Sequence, residues 1–298
     1  MTTTTTSSLP HDRRGRPFVP PGQAVPLWGD SPTGYRPLSS QIDLVLAAGL
    51  DASPPRADTR TVAAAAALDR STHGHLGPAA RHAAELEAAA LRSTAAAHDQ
   101  VLHIGYGLST PDRALYDLWS DLHQDRRGLQ MVATTTCRYA HHFARSACSR
   151  PGPVLLYEFP STLARLPDNP YLTEYVDFGR PVGVVLAGLH RTPSSPADAL
   201  LARLLARLAP GSTITLGGVA TDTNARRLRL QRAWKERADR LPLIAHLPRL
   251  AARTEQFRPG GLEPVDTATA PAADLPVHAY TVTYRITDRP AHDTEVTP

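Results

Sequence analysis

Residues that could do chemistry fall at three places in the 298-residue sequence. The first is Gly105-Tyr-Gly107, which follows the apolar run Val101-Leu-His-Ile104. Glycines behind a short strand let backbone approach a bound cofactor closely, because no Cβ stands in the way. The same glycines can also serve only the tight strand-to-helix turn. The second place holds Cys137, His141 and Cys148, with His142 beside them, at spacings of i, i+4 and i+11 that share one helical face. Thiolate and imidazole are the preferred zinc ligands. A helix of ordinary polar and small buried residues has the same look, and that is the reading adopted, with no metal expected. The third is the helix from Ala225, which carries Arg226, Arg227, Arg229, Arg232, Lys235, Arg237 and Arg240 against Glu236 and Asp239. Phosphates would attract such charge. The cations spread around the helix rather than line one face, and aromatic interleaving, zinc fingers and helix-turn-helix patterns are missing. A solvated surface is expected there, without a nucleic-acid partner.

These residues need a scaffold, and the pattern from Gln100 onward supplies one. Short apolar runs alternate with helical stretches. Val101–Ile104, Leu129–Thr134 and Val154–Tyr157 read as strands. Pro181-Val-Gly-Val-Val-Leu-Ala-Gly-Leu189 is the most apolar run, and its lack of alternation suggests burial on both faces, as in the centre of a parallel sheet. Helices are read over Pro111–Leu122, Arg138–Cys148, Pro196–Leu208 and Thr223–Arg240. In the third of these, Leu200, Leu201, Leu204, Leu205 and Leu208 fall on one side. Ser212–Gly217 is a further strand, and His278–Thr287 is a last strand of alternating type, suited to an antiparallel edge. Strands separated by helices imply right-handed crossovers and a mostly parallel, doubly wound α/β sheet.

Upstream the sequence is different. Residues 1–40 hold seven prolines and read as a flexible Pro/Thr-rich arm. Residues 41–98 read as a helical lead-in, with helices over Gln41–Leu50, Asp58–Leu68 and Ala79–Ala97. Residues 99–288 form the α/β domain, and 289–298 a disordered tail. Lys235 is the sole lysine, the remaining basic residues are arginine, and the net charge is +4. The arginine and alanine excess has the look of GC-rich coding. The charge permits an acidic partner without requiring one. No apolar run reaches the length of a membrane span, and the Thr/Ser-rich start is not a signal peptide. Two cysteines without a C-x-x-C give no disulfide framework, so a cytoplasmic location is the expectation.

Four segments together resemble the actinobacterial S-adenosyl methyltransferases, a family with a Rossmann-type fold. Val101-Leu-His-Ile-Gly-Tyr-Gly-Leu-Ser-Thr110 resembles the first glycine-rich motif. Asp177–His190 resembles the fourth strand and its turn. Leu200–Gly211 is similar to the helix before strand five, and Gln256-Phe-Arg-Pro-Gly-Gly-Leu-Glu-Pro264 resembles the turn before the last strand pair. The resemblance implies an S-adenosylmethionine site made by His103, Gly105, Tyr106, Gly107, Thr135 and Glu158. It also sets His190 at the mouth of the active site as the candidate base.

The departures from the family pattern have a physical price. His103 stands where the first motif normally has an acid, and Thr135 where the second strand normally ends in one. A carboxylate accepts from both ribose hydroxyls with charge-assisted strength, and losing one such contact costs roughly 1.5–3 kcal/mol. Tyr106 replaces a small residue. The family's N-terminal motifs have no counterpart in residues 1–80. Two functions follow: a methyltransferase with an unknown acceptor and a weakened cofactor site, or an inactive homologue acting as a binding or regulatory protein.

Overall fold

A computed structural model describes residues 39–48, 59–107, 115–147, 152–189, 194–238, 243–270 and 275–288. The proposed arm up to residue 38, the tail from 289, Pro111, Cys148 and His190 lie outside the described residues.

Three helices come first: α1 (Ser39–Ala48), α2 (Thr59–Ser71) and α3 (Leu76–Ala97). The turn between α2 and α3 uses His73 and Gly74 at φ 56° and 80°, a region that suits glycine and that other residues adopt uncommonly. Asp69 of α2 reaches forward to accept the Gly77 amide at 2.8 Å, so a carboxylate meets the positive end of α3. Alanine supplies most of α3, which favours a helix of this length. Its buried face runs through Ala80, Ala83, Glu87, Leu91 and Thr94.

The sheet follows. β1 (Gln100–Ile104), α4 (Leu115–Asp125), β2 (Gln130–Thr135), α5 (Arg138–Ala147) and β3 (Val154–Tyr157) make one half. A 3₁₀ helix (Leu163–Asp168) and α6 (Pro170–Thr173) lead to β4 (Gly183–Leu186), then α7 (Ser194–Arg207) and β5 (Thr213–Thr221). The chain closes with α8 (Asn224–Arg237), α9 (Leu247–Phe257), β6 (Leu262–Ala270) and β7 (Val277–Ile286). The strand order is β3-β2-β1-β4-β5-β7-β6. The first five are parallel, and β7 pairs antiparallel with both β5 and β6.

β1 is therefore central, β4 lies beside it, and the last strand runs antiparallel, as expected, but it lies inside the sheet between β5 and β6 and is not the edge strand expected from its alternation. Two elements escape the sequence pattern. β6 forms the outer edge and is largely exposed, and α9 is a short helix with Pro248 in its first turn. β5 also runs on to Thr221, beyond the Gly217 expected as its end.

Layers cover both faces. On one, the 3₁₀ helix, α6 and α7 pack Leu166, Leu172, Leu200, Leu204 and Leu205 against Leu102, Ile104, Val184 and Leu186. On the other, the second half of α3 with α4 and α5 buries Val101, Ala133 and Val185 under Leu91 and Trp119. The first half of α3 joins α1, α2 and α8 over Val219, Val277 and Ala279. The segment likened to the family's turn before the last strands has a mechanical role. The guanidinium of buried Arg258 donates to the carbonyls of Leu205 and Leu208 and to Thr287. It thereby satisfies carbonyls that the end of α7 leaves open. Among the described residues no helix is long and apolar enough to cross a membrane.

Close approach of α3 to β4 depends on a glycine. A Cβ at Gly183 would stand 2.2 Å from Thr94 Cγ2 and 2.8 Å from His98 Cδ2. Gly183→Ala is therefore expected to lower unfolding free energy by about 1–3 kcal/mol in urea denaturation, with part of the loss recovered when Thr94→Ala is added. An unchanged midpoint for Gly183→Ala would mean that α3 packs farther from the sheet.

Candidate functional site

In an open parallel sheet, ligands bind outside the carboxyl ends of the strands where the strand order reverses. Here β2 and β3 lie to one side of β1, and β4 and β5 to the other, so the reversal falls between β1 and β4. Gly105 follows β1 directly, at φ 82°, a conformation that a side chain would strain. Its amide and that of Tyr106 both donate to the Thr134 carbonyl, at 2.9 and 3.3 Å. The turn is thus pinned to the end of β2.

Thr135 completes the clamp. Its buried hydroxyl donates to the Tyr106 carbonyl at 2.7 Å and accepts the Cys137 amide at 3.1 Å. The Glu158 amide donates to the Thr135 carbonyl at 2.9 Å, which brings the ends of β2 and β3 together. The Glu158 carboxylate is buried. It accepts from the Thr162 hydroxyl at 2.9 Å and from the Asn169 side-chain amide. His103, Gly105, Tyr106, Gly107, Thr135 and Glu158 thus converge on neighbouring strand ends.

Two side chains of the set point away from that edge. The Tyr106 ring is 1% exposed and stands edge-on to Trp119 at 5.1 Å between centroids, so it fills the core under α4 rather than the crevice. Its hydroxyl lies 3.5 Å from His141 Nδ1. Burial, with Arg145 and His142 nearby, holds the His141 imidazole below its ordinary range. His103 is fully buried and faces α3, where its Nε2 meets Glu87 Oε1 at 2.7 Å. The acid that the first motif lacks at this position is therefore present nearby, delivered from another helix.

Sequence reasoning missed Glu87. Its signal was there: a carboxylate midway along the stripe of Ala83 and Leu91, where an unpartnered charge would be prohibitively costly. Asn169, the partner of Glu158, carried no such signal, since only the fold brings it near. Of the residues with zinc-ligand chemistry, Cys137 stands just before α5 and His141 lies on it, engaged as described. His190, the residue after Leu189, lies outside the described residues.

Among solved structures, the chain is similar to a protein of Thermobifida fusca provisionally described as a methyltransferase. The TM-score is 0.66 and identity 17%, over 85% of this chain and 96% of that one. A DUF574-family protein of Streptomyces avermitilis is also similar, with a TM-score of 0.63 and 20% identity over 84% and 98% of the two chains. No protein-family model matches the sequence, and comparison with curated proteins gives no match. The chain shares with both proteins a Rossmann-like α/β fold, with a mostly parallel sheet and an antiparallel edge. Identities at this level carry the fold and not the reaction.

The Glu87–His103 pair makes a stability prediction. Glu87→Leu and His103→Leu should each cost about 1–3 kcal/mol, because each strips a buried polar group of its hydrogen bond. The double variant should cost less than the sum, since no polar group is then left behind. Urea unfolding of the four proteins measures the coupling. Strictly additive losses would show that the pair contributes by packing alone.

Proposed function

We propose that the protein is an S-adenosylmethionine-dependent methyltransferase with a weak cofactor site at the carboxyl ends of β1, β2 and β3. The observation that carries this is the Gly105 turn, held at positive φ beside the point where the strand order reverses. Withdrawal of the Tyr106 ring into the core leaves that turn as bare backbone, which is what close approach of a cofactor requires. The cofactor supplies an activated methyl group on a sulfonium. Gly105 and Gly107 would face its amino-acid or ribose end, and Glu158, at the end of β3, would lie toward the adenine. Transfer then depends on proximity and alignment in a dry cleft, with at most one base. His190 is the candidate for that base.

The weakness arises because Thr135 and His103 are already engaged by groups of the protein itself. The Thr135 hydroxyl is engaged with the Tyr106 carbonyl and the Cys137 amide, so it has little left to offer a ribose. His103 is engaged with Glu87. These contacts also determine which repairs can work. Thr135→Asp has no proton to donate to the Tyr106 carbonyl, and His103→Asp would set two buried carboxylates against each other. Neither is expected to rebuild a tight site.

Calorimetric titration of the full chain with S-adenosylmethionine and S-adenosylhomocysteine tests the proposal. Saturable binding is expected with a Kd near 1 mM, equivalent to about 4 kcal/mol. Gly105→Val should weaken it at least tenfold, roughly the loss of one good polar contact, with the circular dichroism spectrum unchanged. Absence of saturable binding in the wild type would overturn the methyltransferase reading. Micromolar binding would overturn the weak-site reading.

A further inference from the structure

A second feature lies at the same edge of the sheet, on the β5 side. After α8 the chain returns as Leu243–His246 and runs beside the end of β5. Thr221 donates its amide to the Ala245 carbonyl at 3.0 Å, and Ala245 donates to Val219 at 3.0 Å. β4 pairs with β5 only as far as Leu216. The returning segment therefore takes up the ladder position that β4 leaves open. Between it, α7, α8 and α9 lies a cavity of about 290 Å³, at the small end of the range for ligand pockets.

The lining is divided. Leu243, Ile244, Ala245 and Leu250 give it apolar walls. Arg227 of α8 and Arg249 and Arg253 of α9 bring in three guanidiniums, and His246 adds an imidazole. One acid, Asp198 of α7, stands among them, and it is held by Arg253 at 2.6 Å. Among the described residues Arg227 has only neutral partners, the Asn224 and Gln231 side-chain oxygens at 2.8 and 2.7 Å. Among the described residues the Arg249 guanidinium makes no hydrogen bond or ion pair. Burial, with Arg249 facing it, lowers the proton affinity of Arg227 from its ordinary value. Burial raises that of Asp198, against the opposing pull of Arg253 and Arg249. Two like charges thus face one cavity whose single acid is bonded to a third. Perturbed titratable groups in a part-apolar cleft are a mark of a binding site rather than of surface.

We infer that this cleft binds the carboxylate or phosphate of a small organic methyl acceptor, with Arg227 and Arg249 on the anion and the Leu243–Leu250 surface against an apolar body. Guanidiniums match planar carboxylates and phosphates through paired donors. The acceptor assignment rests on the methyltransferase reading, whereas the anion site stands on its own geometry.

Calorimetry with benzoate, phenyl phosphate and uncharged phenol on the full chain tests it without the cofactor. Saturable binding of benzoate or phenyl phosphate is expected, with phenol much weaker, and the stronger of the two anions identifies the head group. Arg249→Gln and Arg227→Gln should each weaken that binding about tenfold or more, with the circular dichroism spectrum and the S-adenosylmethionine titration unchanged. No saturable anion binding, or binding by the two variants as tight as that of the wild type, overturns the inference while leaving the cofactor result intact. Anion binding in a protein that fails to bind S-adenosylmethionine overturns the acceptor role.

Discussion

Burying Glu87 in the interface between α3 and β1 is a condition on which the architecture around the carboxyl ends of β1 and β2 depends. A carboxylate in that position must have a partner, and His103 supplies it at 2.7 Å from the central strand of the sheet. This fixes the rotation of α3, because only one stripe of that helix can face β1 with Glu87 opposite His103. The rotation sets Thr94 and His98 against Gly183, so β4 must be bare at that point. On the other side of His103, Trp119 stands edge-on at 5.7 Å and shares the same space with the Tyr106 ring. One polar pair thus orients a helix, requires a glycine in the next strand, and leaves an aromatic pocket into which the residue between the two turn glycines can fold.

The central strands were legible because burial on both faces produces unbroken apolar runs, as in Val182–Leu189. The helix α7 was legible from its leucine spacing alone. β6 was not, for a reason that lies in its position. As an edge strand it exposes Glu263, Val265 and Asp266 and tolerates Pro264, which has no amide to give to a ladder. Its pairing with β7 slips at that residue. Such a strand carries neither alternation nor apolar density. α9 was hidden by its brevity and its arginines. The candidate site was legible in its backbone parts and obscure in its partners. Gly105 and Gly107 announce a turn, whereas the bond from Thr135 to Tyr106 joins residues 29 apart and exists only once β1 and β2 are paired.

Judged by its contacts, the Thr135 position is a structural substitution rather than a simple loss. An acid at the end of β2 can accept hydrogen bonds but cannot donate one at neutral pH. A threonine can do both, and here it does, joining the Tyr106 carbonyl to the Cys137 amide. The turn gains an internal tie at the point where a ligand contact would otherwise form. The same trade is visible at Glu158, whose two oxygens are each taken by a neighbour. These internal bonds favour a rigid edge over an adhesive one. Rigidity has catalytic value of its own, since alignment rather than affinity governs group transfer between two bound molecules.

Charge is distributed unevenly along the carboxyl edge. On the β1–β3 side the Thr135 hydroxyl is engaged with backbone, and the Glu158 carboxylate with Asn169 and Thr162. On the β5 side the charges are not neutralised in the same way, and Arg227 and Arg249 face each other across open space. Unrelieved repulsion between guanidiniums is tolerable where solvent screens it, and it becomes useful where an anion relieves it. The scaffold keeps these two sides apart by a simple device. β4 stops at Leu186, and Ala245 continues its place beside β5, so the segment leading into α9 crosses the edge just beyond the point where the strand order reverses. A parallel sheet brings all such connections to one edge by necessity. One part of this edge therefore holds Thr135 and Glu158 in contacts within the protein, and another gathers guanidiniums.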